Sequence, residues 1–156
     1  MLQIFNGNKG ISIIELLAVI AILALTLTVL LGLASFSLGI TGLVRQTTQA
    51  ENLAREAMEA VRSIRDNSGW SQIINGSHGL ASSAGYWEFS GTENVIDVFT
   101  RAILISDAQR DASDGIVEAG GVIDPDTKKI TVSVSWQERN RPHSVGLITY
   151  LTNWHR

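Results

Sequence analysis

At 156 residues the chain has the length of one domain, and any membrane segment must be taken out of that length. Its formal net charge is −3, from 12 basic and 15 acidic residues without a Lys/Arg cluster, which argues against a nucleic-acid surface. With no cysteine, a disulfide framework, a thiolate zinc site and a cysteine nucleophile are excluded.

Residues 1–10 read as a short polar leader, with Asn6, Asn8 and Lys9 just ahead of an apolar run. An ordinary secretory signal has a basic start, an apolar stretch of about 7–15 residues, and small residues at a cleavage site beyond it. Here the small residue, Gly10, lies before the apolar run. A cut after Gly10 therefore keeps the hydrophobic segment in the mature chain, with Ile11 as its new N-terminus.

Glu15 stands inside the start of that run, and no other charge follows until Arg45. An ionised carboxylate near the bilayer centre costs about 2.5 kcal/mol or more even on lenient insertion scales, so its placement calls for a partner. Residues 11–40 are rich in Leu, Ala and Ile and lack proline, and Thr26, Thr28, Ser35 and Ser37 are able to bond back to helix carbonyls. A hydrocarbon core of about 30 Å takes about 20 such residues, so the segment is long enough to span. Lys9 and Arg45 flank it almost evenly; the expected orientation is N-terminus in the cytoplasm and the remainder outside, as a single-pass inner-membrane protein.

Over residues 41–66 the pattern becomes amphipathic without a helix break. Leu43, Thr47, Ala50, Ala54, Ala57, Val61 and Ile64 recur at spacings of four and three, while Arg45, Glu51, Arg55, Glu56, Glu59 and Arg62 occupy the other sides. The stripe is mostly Ala and Thr and lacks the Leu/Ile seam of a two-stranded coiled coil, so packing under a sheet is the expectation. Residues 66–69, Asp-Asn-Ser-Gly, supply the stop. A helix from about residue 12 to residue 65 would be about 80 Å long at 1.5 Å per residue.

Residues 67–156 form the expected head. Residues 70–97 are punctuated by Gly76, Gly79, Gly85 and Gly91 and read as a long surface loop with one short strand or turn. Residues 98–106 alternate, with Arg101, Ile103 and Ile105 on one face, and 107–115 form an acidic break. Asp124-Pro125-Asp126-Thr127 reads as a turn. Residues 130–137 give the cleanest strand, with Ile130, Val132, Val134 and Trp136 opposite Thr131, Ser133 and Ser135. A loop over 138–143, carrying Pro142, leads to a last alternating run at 145–152. The expected fold class is α+β, one very long N-terminal helix packed on a small antiparallel sheet of three or four strands.

Lys9-Gly10, the hydrophobic Ile11, Glu15 at the fifth position beyond the cut and the apolar helix behind it together resemble the prepilin-type N-terminus of the type IV pilin and pseudopilin superfamily. The likeness covers residues 8–33 strongly, and residues 50–62 and 149–154 more softly resemble minor pilins of the PilV type. The resemblance implies a pilin-like fold and a structural subunit of a type IV pilus or related type II secretion-like filament. It also implies a prepilin peptidase that cuts after Gly10 and methylates the amine of Ile11. The subunit would be stored in the inner membrane, then extracted by an assembly ATPase and a platform protein into a filament with other pilin or pseudopilin subunits, at the cell surface or in the periplasm. In a water-excluding filament core, Glu15 would neutralise the N-terminal ammonium of a neighbouring subunit, since each charge is costly alone. Two departures stand out. Many pilins carry a helix-weakening proline near the position of Gly32, where this chain offers only the weaker breaks of Gly32, Gly39 and Gly42, and the cysteine pair common in major subunits is missing, which argues against a disulfide-stabilised major subunit.

The competing expectation is a single-pass anchored binding module, which would retain residues 1–10 and tolerate changes at Glu15. An anchored enzyme has the least support, so no catalytic residue, cofactor or metal site is assigned. His78, His143 and His155 are scattered without metal-ligand spacing, and there is no nucleophile motif. Asp107, Asp111, Asp114, Asp124 and Asp126 do not match a calcium-loop spacing and read as solvated turns. The tryptophans, Trp70, Trp87, Trp136 and Trp154, read as core and sheet-edge packing.

Overall fold

Strong helix formers without proline give one unbroken helix, α1 (Ile13–Ser68), in the structure, a computed structural model that describes residues 12–138 and 140–154. The helix continues through Gly32, Gly39 and Gly42. It stops where the Asp-Asn-Ser-Gly signal sets it. Gly69 takes a left-handed φ of 89° and its amide donates to the Arg65 carbonyl at 3.1 Å, ahead of a short 3₁₀ turn at Trp70–Gln72.

The chain divides into two units, Met1–Leu43 and Val44–Arg156. Within the second, α1 buries Ala50, Ala54, Ala57, Met58, Ala60, Val61 and Ile64. These include the last five positions of the predicted stripe. Small side chains on the helix leave room for the larger ones on the sheet.

The strands are β1 (Gly76–His78), β2 (Leu80–Ser83), β3 (Tyr86–Phe89), β4 (Asn94–Ile96), β5 (Phe99–Arg110), β6 (Ile116–Val117), β7 (Val122–Glu138) and β8 (Arg141–Thr152). The layout is α+β. An antiparallel sheet runs β1-β5-β7-β8, with β4 and β6 also pairing β5, while β2 and β3 form a separate hairpin. Period-two alternation selects the core: Phe99, Ile103 and Ile105 of β5, and Ile130, Val132, Val134 and Trp136 of β7, are buried. The register pairs Ile103 with Val132 and Ile105 with Ile130.

Four expectations need correction. The sheet has six strands rather than three or four, because β1 and β4 lie in the segment read as a loop and β6 follows directly on the acidic break. Strands of two to four residues are too short to display an alternation. Next, β5 does not end at 106 but runs to Arg110, since Asp107 and Arg110 both find partners on β7. The Asp124–Thr127 segment is not a turn ahead of a strand. It is an irregularity inside β7, where the register steps from Asp107–Lys128 to Ala108–Asp124 and accommodates Pro125, which has no N–H to donate. Finally, Glu138 pairs with Arg141, so the two strands run into the six residues expected as a loop, with Asn140 at φ 65° and Pro142 on edge strand β8.

Candidate assembly site

In the first unit, α1 begins beside Ser12, whose carbonyl accepts the amides of Glu15 at 3.0 Å and Leu16 at 3.1 Å. The Ser12-Ile13-Ile14-Glu15 spacing is that of a capping box, a purely local alternative role for Glu15. The reciprocal side-chain bonds of such a box are not formed. Glu15 is exposed in the first helical turn, where the helix dipole favours a negative charge, and its carboxylate contacts no polar partner among the described residues. Lys9, Gly10 and Ile11, the predicted processing residues, lie outside the described residues.

Behind Glu15, every large apolar side chain from Ile13 to Leu38 is exposed, Val19 least at 49 % and Ile13 most at 78 %. A continuous apolar surface of this extent marks an interaction with lipid or with other protein. The helix is long and apolar enough to cross a membrane. Its threonine hydroxyls bond back to the helix: Thr26 donates to the Leu23 carbonyl, Thr28 to Ala24 and Thr41 to Ser37, each at 2.9 Å. Ser35 and Ser37, also expected to bond back, make no such bond with a described residue.

In the second unit one charge sits in the core. Arg101 is 2 % exposed on the inward face of β5. Its Nη1 donates to Glu56 Oε1 at 2.9 Å and to the Leu53 carbonyl at 3.2 Å, and its Nε donates to Asn94 Oδ1 at 3.3 Å. Trp136 ties β7 to the same helix, donating from Nε1 to Gln46 Oε1 at 3.0 Å with Phe99 edge-on to its ring. These are structural contacts, and they fix the sheet against α1.

The acidic residues expected as solvated turns instead carry the far end of the sheet. Arg110 donates to Asp124 Oδ2 at 2.6 Å, and the buried Thr127 hydroxyl donates to the same oxygen. The Arg110 bond first, then Thr127 and the Asp126 amide, pull the Asp124 carboxyl down to about 2. Lys128 bonds Asp107, which Asn75 also reaches, and this lowers the Asp107 carboxyl. Lys129 bonds Glu118 and lowers it in the same way. Asp111 accepts the amides of Ser113 and Gly115 and closes the β5–β6 turn. Among the described residues no group of three His, Asp or Glu is arranged to hold a metal ion.

Only one tryptophan, Trp136, is a core residue. Trp154 is 52 % exposed with the Arg65 guanidinium 5.6 Å from its ring centre, and with Trp70 and Asn153 it borders a cleft of about 360 Å³ at the end of α1. Comparison with protein-family models, curated proteins and solved structures finds no match to this chain.

Proposed function

We propose that the chain is a non-catalytic structural subunit, a minor pilin or pseudopilin, that polymerises through its N-terminal helix into a type IV pilus or related type II secretion-like filament. One observation carries this role: a carboxylate with no polar partner among the described residues opens a helix whose large apolar side chains from Ile13 to Leu38 are all exposed. Such a surface is satisfied by lipid while the chain is stored as a single-pass inner-membrane protein, with the head outside the cytoplasm. It is satisfied equally by neighbouring helices of the same kind. Removal of the leader after Gly10 by a prepilin peptidase creates an ammonium at Ile11, and packing copies side by side excludes water around it. The Glu15 carboxylate of one subunit then neutralises the ammonium of the next, since either charge alone is costly in that surrounding. An assembly platform and its ATPase supply the work of extraction.

The test is incorporation. Glu15→Gln and Glu15→Ala leave membrane insertion intact and lower the amount of subunit recovered in sheared filaments. Recovery at the wild-type level sinks the proposal.

A further inference from the structure

We propose that a groove on the flank of α1 in the head receives Arg45 of a second copy of this chain, a contact that rests on the assembly role above and adds a second register point to it. The helix side of the groove is set by spacing. Arg45, Gln49, Asn52 and Glu56 recur at intervals of four, three and four, so they share one flank of α1. The last three line a groove of about 250 Å³ whose other wall is the β4–β5 turn, with Ile96, Asp97 and Phe99. Its floor is apolar, made by the buried Phe99 and the half-buried Leu53 and Ile96. Its rim carries two amides and two carboxylates.

The groove has a net negative charge. Glu56 is matched by the buried Arg101, whereas Asp97 forms no ion pair with a described residue. Asp97 is held at φ 56° in a tight turn closed by the Ile96–Phe99 pair, so its position is fixed by backbone. An apolar floor beneath a rim of carboxylate and amide oxygens suits one chemistry: a planar guanidinium on a long aliphatic stem.

The chain itself presents that group. Arg45 is exposed and makes no ion pair with a described residue. It lies on the flank of the groove, two turns before Asn52, whereas Arg55 projects about 100° away around the helix from Glu56. Two copies facing each other across this flank, offset by about 10 Å, the rise of seven residues, bring Arg45 of one against Asn52 and the groove of the other. Donor and acceptor lie at different heights, so the contact is heterologous and leaves each copy with a free group at either end. That arrangement propagates into a filament instead of closing as a dimer.

The test uses the full chain in membranes and in sheared filaments. With no native cysteine, Thr41→Cys plus Thr48→Cys, seven residues apart beside Arg45 and with the groove left native, places two thiols about 10 Å apart within one helix, beyond the roughly 7 Å that a disulfide spans, so every cross-link joins two copies. Mild oxidation should give a ladder of multimers on non-reducing gels, at least fivefold stronger than for the same pair carrying Arg45→Gln. Leu27→Cys, in the apolar part of α1, reports side-by-side helices independently of the groove. Leu27 cross-links without the ladder overturn the groove contact and leave the assembly role standing; loss of both overturns both. Arg45→Gln and Asp97→Asn, each with the rest of the chain native, should lower filament recovery severalfold. Wild-type recovery of both variants overturns the charge pairing even where a ladder forms.

Discussion

Arg101 on β5 and Glu56 on α1 meet at 2.9 Å, with the guanidinium buried and the carboxylate side chain 46 % exposed. The two ends of this ion pair therefore differ in what their loss leaves behind. Glu56→Ala strands a buried cation on the Leu53 carbonyl and the Asn94 side chain alone, whereas Arg101→Met frees Glu56 to be hydrated and puts an apolar chain in the core. Thermal unfolding in detergent should show a loss of about 3 kcal/mol for Glu56→Ala. Arg101→Met should cost about 1 kcal/mol, the value of an ordinary lost hydrogen bond. The reverse order would show that the guanidinium is not the desolvated partner.

The depressed carboxyls make the head sensitive to acid. Asp124, Asp107 and Glu118 each titrate below their ordinary range in the fold, so their stabilisation is complete above the unfolded value, near pH 4, and fades as pH falls through the folded value. For Asp124 that window runs from about pH 4 down to about 2. Melting temperature followed from pH 7 to pH 2 should fall steeply at the acid end. Asp124→Asn should flatten that limb while lowering stability at neutral pH. An unchanged acid limb in this variant would remove Asp124 from the account.

Gly79 should not tolerate a side chain. Its amide donates to the Gly91 carbonyl at 3.1 Å, and its carbonyl accepts the Ser90 amide at 3.0 Å, so two backbone segments close on it. A Cβ there would lie 2.5 Å from the Ser90 carbonyl oxygen and 2.6 Å from that of Glu93. Backbone cannot yield as a side-chain tip does, and Gly79→Ala should cost about 3 kcal/mol in thermal unfolding. A loss under about 1 kcal/mol would mean that the segments part readily.

What the sequence made legible follows from period and length. The 3.6-residue stripe of residues 50–64 and the two-residue alternation of 130–136 are long and regular, and the residues they select are the buried ones. Alternation alone puts Arg101 on the same strand face as Ile103 and Ile105, whereas its partner, 45 positions away on α1, leaves no trace in the local pattern. The short strands β1, β4 and β6 left no periodic signal. Asp124 and Asp107 carry turn signals in the sequence because Asp and Pro usually mark turns. Their actual work depends on Arg110 and Lys128 across the β5–β7 ladder, a relation fixed by register and not by local composition. Glu15 was conspicuous from its apolar surroundings, whereas its freedom from a capping-box bond is a property of the folded helix start.

The central claim concerns the N-terminus, and intact mass with N-terminal sequencing of the membrane-extracted chain tests it most directly. Processing predicts a protein that has lost residues 1–10 and begins at Ile11, heavier by one CH2, the increment of a single N-methylation, than the unmodified segment. A chain that keeps Met1 through Gly10 in cells carrying an active prepilin peptidase would contradict it and leave α1 as a tether.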